Sequence, residues 1–188
     1  GWGEYHENEI TKYAESRDGF NWTEPDLKNR PIAGHPEGNV VVADEFLVTH
    51  NFSPFIDERP GVAKDVRYKG LGGGRYPDAN WGGWKRPDER AQLIAKHGPG
   101  GLYAFGSGDG IHWTKLQEEP VLPEAWGRFD SQNVAFWSEA EGRYVCYYRW
   151  LKGGLRSIRR STSTDFLKWT QPVDMEANLP GEHLYTSG

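Results

Sequence analysis

Short runs of alternating apolar and polar residues, separated by turns rich in Gly, Pro, Asp and Ser, make up most of this 188-residue chain. Alternation over four to eight residues is typical of β-strands with one buried face. The clearest set predicts four successive strands at Asp130–Trp137, Arg143–Trp150, Arg156–Ser163 and Trp169–Val173. A matching set is predicted at His50–Ile56, Val66–Leu71, Leu102–Ser107 and Trp113–Gln117.

Further strands flank these two sets. Ile10–Ser16 and Trp22–Thr23 read as the last two strands of an earlier set, and Glu182–Thr186 reads as the first strand of a later one. An extra hairpin is predicted from Val40–Val42 and Phe46–Thr49. The pattern therefore indicates a repeating unit of four strands.

An eight-residue motif, Ser-x-Asp-x-x-x-Trp-Thr, marks the end of each unit. Its three copies begin at Ser16, Ser107 and Ser163. The first two copies have Gly directly after the Asp, a pair that favours a tight turn between two strands. We therefore predict that the motifs are structural turns, with each Trp packing back over its own turn.

The spacing of the motifs defines the length of the unit. Trp22 and Trp113 lie 91 residues apart, whereas Trp113 and Trp169 lie 56 apart. The longer interval contains a Gly-rich insertion, residues 73–100, in which a short helix is predicted from Pro87 to His97. Without the insertion both units have about 60 residues, and four-stranded units of this kind are typical of a β-propeller.

The composition supports an all-β fold and excludes several other classes. The chain has 24 Gly and 12 Pro, with 9 Trp, 9 Tyr and 8 Phe in place of many aliphatic residues. Disordered chains are poor in aromatics, and helical bundles are poor in Gly and Pro. The net charge of −5 and the absence of a long apolar run argue against nucleic-acid and membrane partners. One cysteine, Cys146, excludes an internal disulfide.

Three sequence features together resemble the five-bladed β-propeller glycoside hydrolases, the invertase-like and arabinanase/xylosidase-like superfamily. They are the Ser-x-Asp turns, Phe129-Asp130-Ser131-Gln132-Asn133, and Glu182-His183-Leu184-Tyr185-Thr186. The resemblance covers nearly the whole chain outside residues 73–100. It implies that residues 1–188 are one incomplete propeller domain of about three blades, with five blades in the complete fold.

The resemblance also implies a catalytic mechanism. Superfamily members use three carboxylates, carried by the innermost strands of consecutive blades, to hydrolyse glycosidic bonds. Asp130 matches the transition-state stabiliser or base, and Glu182 matches the general acid. The preceding inner strand has no acid before Asp57, so the third carboxylate lies in a missing blade, is Asp57 or Glu7, or is replaced by other residues.

Several polar and aromatic residues are candidate ligands of a carbohydrate substrate. Amide and imidazole groups at strand starts can bond sugar hydroxyls, and alternation predicts that only one of Gln132 and Asn133 faces the site. Two tryptophans in the insertion are candidates for stacking on a sugar ring. The predicted substrate-binding residues are His50, Asn51, Gln132, Asn133, His183, Trp81 and Trp84.

Two other functions fit parts of the pattern. A non-catalytic carbohydrate-binding or scaffold propeller would keep the turns and aromatics without a carboxylate pair. A sialidase-like enzyme would require a nucleophilic Tyr and an arginine cluster. The sequence predicts no metal site and no cofactor, since the six histidines lack zinc-ligand spacing. The resemblance suggests a secreted or periplasmic protein, and the sequence predicts no oligomeric state.

Overall fold

The chain folds mainly into antiparallel β-sheets, as the alternating pattern predicts. The computed structural model describes residues 9–29, 32, 34–36, 38–43, 47–76, 87–176 and 181–184. In these ranges two α-helices, α1 (Val48–Asn51) and α2 (Pro87–His97), and two short 3-10 helices, Lys64–Val66 and Glu124–Trp126, interrupt the strands. In chain order the strands are β1 (Thr11–Lys12), β2 (Glu15–Ser16), β3 (Trp22–Thr23), β4 (Val40–Val42), β5 (Ser53–Ile56), β6 (Tyr68–Gly74), β7 (Gly101–Ser107), β8 (Thr114–Lys115), β9 (Leu122–Pro123), β10 (Val134–Ser138), β11 (Arg143–Lys152), β12 (Leu155–Ser163) and β13 (Val173–Asp174).

Two antiparallel sheets correspond to the two predicted units. In one sheet the strand order is β5-β6-β7-β8, with β9 pairing β7 as well, and in the other it is β10-β11-β12-β13. We call them the middle sheet and the C-terminal sheet. The N-terminal residues form two smaller sheets, β1 with β4 and β2 with β3. Strand order follows chain order in both larger sheets, as in successive hairpins.

The middle sheet is covered on both faces. Every residue of β7 is buried, and its side chains alternate between two hydrophobic clusters. Leu102 and Ala104 pack against the C-terminal sheet, which contributes Tyr144, Cys146 and Tyr148 of β11. Tyr103 and Phe105 pack on the opposite side, in a cluster with residues of β4 and α1. The sheets are therefore stacked in layers with β7 at the centre.

One predicted strand, Phe46–Thr49, is wrong. Phe46 lies outside the described residues, and Val48–Asn51 is the helix α1, which follows a left-handed turn at Leu47 with φ 64°. The helix packs on β6, where two glycines leave room for it. A side chain at Gly72 would place its Cβ 2.7 Å from Val48, and one at Gly70 would place it 2.7 Å from the Phe52 ring.

Other strand boundaries also differ from the expectations. The first strands of the two larger sheets begin at Ser53 and Val134, three and four residues later than predicted. The predicted strand Trp169–Val173 is reduced to an isolated bridge at Trp169 and the short β13, because Pro172 has no N–H to donate. Glu182–Leu184 is not a strand, and the rest of Glu182–Thr186 lies outside the described residues.

The three Ser-x-Asp motifs form the predicted turns with the same hydrogen bonds. In the second copy, Ser107 Oγ donates to Asp109 Oδ1 (3.0 Å), and the N–H groups of Ile111 and His112 donate to the same oxygen (both 2.8 Å). Trp113 Nε1 donates back to the Gly110 carbonyl (3.0 Å). The third copy has Phe166 at the position of Gly110, with φ 71°, and its ring is completely buried.

The insertion is attached to the middle sheet by a charged group. Arg90 on α2 donates to both carboxylate oxygens of Glu124, each at 3.0 Å, and to the Tyr76 carbonyl at 3.0 Å. Tyr76 is almost fully buried, and its hydroxyl donates to Gly98 O (2.9 Å). The predicted helix over 87–97 is confirmed, and these bonds attach it to the segments that follow β6 and β9.

A buried charged cluster joins the middle and C-terminal sheets. Asp57 Oδ2 accepts from Lys69 Nζ and from the Tyr144 hydroxyl, both at 2.7 Å. Lys69 Nζ also donates to the Val66 carbonyl (2.8 Å), and none of the three side chains is more than 5% exposed. Burial and the neighbouring carboxylate raise the pKa of Tyr144 above its ordinary value, so its hydroxyl remains a donor.

Lys69→Met should destabilise the protein severely, because it leaves the Asp57 carboxylate buried without its cation. We expect the free energy of unfolding to fall by about 3–5 kcal/mol, measured by urea denaturation followed by tryptophan fluorescence. Lys64→Met is the control, since Lys64 is exposed and its replacement should change stability by less than about 0.5 kcal/mol. Equal effects of the two substitutions would contradict the role given to the cluster.

The Asp165 turn should make stability depend on pH. Partial burial acts to raise the pKa of Asp165, but hydrogen bonds from Lys168 N–H, Leu167 N–H and Ser163 outweigh it and the pKa is lowered. A carboxyl whose pKa is lower in the folded state stabilises fully above its unfolded pKa, near 3.9, and loses this contribution as the pH falls through the folded value.

Asp165→Asn should therefore cost about 1 kcal/mol at pH 7, because hydrogen bonds to a carboxylate contribute more than those to a neutral amide oxygen. The difference from wild type should narrow as the pH falls below about 4. Unfolding curves at several pH values measure this, with the exposed Asp65→Asn as control. A stability difference that is independent of pH would be the contrary result.

Candidate functional site

A cleft of about 300 Å³ opens between the first strands of the two larger sheets. One wall is the end of α1 with the start of β5, and the other is the loop that precedes β10. The residues that line it are His50, Asn51, Phe52, Ser53, Pro54, Asp130, Ser131 and Gln132. Four residues that the sequence singled out, His50, Asn51, Asp130 and Gln132, therefore meet in one cleft.

These residues meet because β5 and β10 pack against one another. Each is the first strand of its sheet, and the segments that precede them lie at the same end of the stack. A hydrogen bond from Asn51 Nδ2 to the Phe129 carbonyl links the two walls across 78 residues of sequence. The starts of strands from separate units therefore lie at one cleft.

The loop before β10 is held by the backbone of Phe129. This residue is completely buried and has φ 56°, a conformation that is unfavourable for a residue with a side chain. Its ring lies directly on Gly127, at a position where any larger residue would collide with it. Its carbonyl accepts from Asn51 and, at 3.4 Å, from Asn133 Nδ2. Strained backbone held by its surroundings is common at functional sites.

The amides around the cleft divide into structural and accessible groups. Asn51 uses its Nδ2 for Phe129 and its Oδ1 to accept from Gly73 N–H (3.1 Å), so it joins α1, β6 and the loop. Asn133 is completely buried and faces the Phe129 carbonyl. Gln132 is exposed in the cleft. Of Gln132 and Asn133, only one is thus accessible, as alternation predicts.

Asp130 forms an ion pair with Arg149 of β11. Arg149 Nη2 donates to Asp130 Oδ2. The Asp130 side chain is 42% exposed, whereas that of Arg149 is 13% exposed. The carboxylate therefore lies at the surface of the cleft and the guanidinium lies beneath it.

A second carboxylate approaches the cleft from the N-terminal segment. Glu9 contacts His50 Nδ1 through both of its oxygens, at 3.1 and 3.3 Å. A carboxylate at Nδ1 favours the tautomer that has its proton on that nitrogen. His50 is therefore oriented by Glu9 while it lines the cleft.

Three other predicted residues that the structure describes, Asp57, Glu182 and His183, are not among those that line the cleft. Asp57 belongs to the buried cluster between the sheets and does not line the cleft. Glu182 and His183 are exposed, and their segment is attached to the start of β12, where His183 Nδ1 accepts from Arg156 N–H (2.9 Å). Trp81, Trp84 and Glu7 lie outside the described residues.

Two of the three arginines of β12 pair with nearby acids. Arg159 donates to Asp174 (2.8 Å) and Arg160 to Glu141 (2.6 Å). Arg159 also lies over the Trp150 ring, 3.6 Å from its centroid. In the part of the chain that the structure describes, no group of three or more His, Cys, Asp or Glu side chains could hold a metal ion. No helix within those ranges is long and apolar enough to cross a membrane.

Sequence reasoning missed Arg149 and Glu9. Arg149 lies in the second strand of its unit, and the pattern of the strand gives no sign that it reaches a loop 19 residues away. Glu9 lies 41 residues from His50. No local signal marks either pairing, because both depend on how separate strands are arranged in space.

Comparison with known proteins identifies no family for this chain. No family model matches the chain, and no curated protein matches it. The chain is similar to a crystal structure from Parabacteroides distasonis ATCC 8503 that is named a "putative glycoside hydrolase", with 20% identity and a TM-score of 0.38. The similarity covers 89% of this chain and 43% of the other, so the chain spans less than half of that protein. A similarity of this degree defines neither a family nor an activity.

Asn51→Ala should destabilise the protein by about 1–3 kcal/mol, because it leaves the Phe129 carbonyl and the Gly73 N–H without this partner. Gln132→Ala, in the same cleft but exposed, should change stability by less than about 0.5 kcal/mol. Thermal unfolding by calorimetry distinguishes the two variants. If Asn51→Ala were as stable as Gln132→Ala, the structural role of Asn51 would be excluded.

Proposed function

We propose that the chain is part of a β-propeller glycoside hydrolase, and that a glycosidic bond of an oligo- or polysaccharide is cleaved in the cleft between β5 and β10. The observation that carries this proposal is the position of Asp130. Its carboxylate lies in a cleft that is built from the starts of the first strands of two stacked sheets. Those are the positions at which the resembling superfamily carries its catalytic acids.

The stacked sheets support the propeller as the finer description of the fold. The C-terminal sheet is a four-stranded meander, and it packs on the meander β5-β6-β7-β8 of the middle sheet, to which β9 is added. On the other side of the middle sheet lie β4 and α1. We infer that each sheet is a blade, with about three blades represented here and five in the complete domain, as the resemblance implies. The inserted residues 73–100 then connect the second and third strands of one blade.

Hydrolysis of a glycosidic bond requires two carboxyl groups with different protonation states, one as acid and one as base or nucleophile. In our proposal Asp130 is the ionised group, which stabilises the positively charged transition state or acts as base. Glu182 is the proton donor. Its segment, 181–184, is attached to the edge of β12 by the Arg156 backbone and is exposed, so it is accessible to a large substrate.

The remaining lining of the cleft suits a sugar. Gln132 and His50 carry groups that can donate to and accept from hydroxyls, and Phe52 and Pro54 provide apolar surface for the faces of sugar rings. We therefore propose a neutral carbohydrate as the substrate. No cofactor takes part in the proposed mechanism, and we propose no nucleic-acid or membrane partner.

One observation favours a second candidate, a carbohydrate-binding propeller without catalysis. Among the described residues that line the cleft, Asp130 is the one acid. A binding module would need the cleft, the amides and the aromatic surface, but no second carboxyl group. The two candidates make opposite predictions for turnover.

Asp130→Asn in the full-length protein should lower kcat by about 10²- to 10⁴-fold and leave folding intact, because the carboxylate is partly exposed and only its charge is removed. Glu182→Gln should have a similar effect if Glu182 is the proton donor. Turnover is measured on a panel of aryl glycosides and plant or algal polysaccharides by release of nitrophenol or reducing ends.

Glu139→Gln is the control, since Glu139 is an exposed acid in the turn between β10 and β11. If Asp130→Asn kept full activity, the catalytic role proposed for Asp130 would be wrong. If wild type binds an oligosaccharide in calorimetry but releases no product from any member of the panel, the binding-module candidate replaces the enzyme.

A further inference from the structure

Two contacts, and not only one ion pair, connect the loop that carries Asp130 to Arg149. Besides the contact between Arg149 Nη2 and Asp130 Oδ2, the N–H of Arg128 donates to the Arg149 carbonyl at 2.9 Å. The loop that carries Asp130 is therefore attached to Arg149 through both the side chain and the backbone. A movement of β11 at this residue would move the carboxylate with it.

Arg149 lies on the face of the C-terminal sheet that points away from the middle sheet. It pairs with Ile158 across the ladder, whereas the neighbouring Tyr148 faces the core. Its Nε is buried and has no hydrogen-bond partner. A buried donor without a partner costs stability, so the position of this guanidinium is poorly explained by folding alone.

The contact between Arg149 Nη2 and Asp130 Oδ2 also determines which oxygen of Asp130 faces the cleft without a partner. A guanidinium is always charged and only donates, so the oxygen that it binds accepts and carries no proton. Among the described residues, Oδ1 of Asp130 has no partner, and the side chain is 42% exposed. Asp130 therefore presents one oxygen to the cleft while the other is held from below.

We propose that Arg149 is a positioning residue that holds Asp130 Oδ2 from below and aims Asp130 Oδ1 into the cleft. This inference rests on the proposed function for its kinetic consequences, but not for the coupling between the two residues. A charged planar donor is suited to this task, because its rigid geometry fixes the orientation of the carboxylate that it binds.

Arg149→Met removes the guanidinium and keeps most of the volume of the side chain. With the glycoside that wild type hydrolyses fastest, we expect kcat to fall about 100-fold, as for other misplaced catalytic groups, while KM changes little. Arg149→Lys should recover part of the loss, because it restores the charge without the planar geometry. Arg160→Met is the matched control, since Arg160 lies on the same face and pairs with Glu141, away from the cleft.

A loss of activity in Arg160→Met as large as that in Arg149→Met would overturn the proposal, and so would the absence of any recovery by lysine in a folded variant. A rise in KM at constant kcat would also overturn it, because Arg149 would then act in binding. Circular dichroism and thermal unfolding establish that each variant is folded.

The coupling is tested separately, without a substrate, so that failure of the proposed function can be recognised. The free energies of unfolding of Arg149→Met, Asp130→Asn and the double variant are measured in urea. Because both single substitutions break the same ion pair, we expect the double variant to be less destabilised than the sum of the two. Additive effects would overturn the positioning role even if the enzyme is active. Coupled effects without hydrolysis of any glycoside would overturn only the proposed function.

Discussion

The Asp57 carboxylate, buried between the two larger sheets, is the constraint on which the rest of the structure depends. A charged group out of water must have partners, and here they come from both sheets, Lys69 from the middle sheet and Tyr144 from the C-terminal one. Apolar packing alone tolerates small sliding of one sheet over another. The bond from Tyr144 to Asp57, at 2.7 Å, crosses between the sheets, while Lys69 holds the same oxygen from within the middle sheet, so the carboxylate opposes sliding of the sheets beside the cleft between β5 and β10.

A second set of polar contacts, around Phe129, shapes the cleft between the docked sheets. Phe129 adopts a left-handed conformation, and its carbonyl receives the amides of Asn51 and Asn133. The strain is thus compensated by bonds from the opposite wall of the cleft and from the start of β10. Because Phe129 is held in this way, the next residue, Asp130, lies at the surface with Arg149 beneath it.

The parts of the molecule that could be predicted from sequence are the ones that are determined locally. The Ser-x-Asp turns satisfy their bonds within eight residues, and the predicted strands Arg143–Trp150 and Arg156–Ser163 end within two residues of β11 and β12, so both features were predictable. The helix α1 was not, because Val48 and Thr49 are β-branched and the room for a helix comes from Gly70 and Gly72 on β6. Asp130, His50 and Gln132 could be placed in one cleft because strand starts converge. Arg149 and Glu9 could not, since each pairs with a distant segment of chain.

The bond between Asn51 and the Phe129 carbonyl has a consequence for the equilibrium between docked and separated sheets. Its two ends belong to walls that come from different sheets, so the cleft exists only while those sheets are docked. Any molecule that occupies the cleft binds the docked arrangement and not the separated one. Occupancy therefore stabilises the contact between the sheets in proportion to the logarithm of ligand concentration. Ligand binding and sheet docking are, in thermodynamic terms, one linked equilibrium.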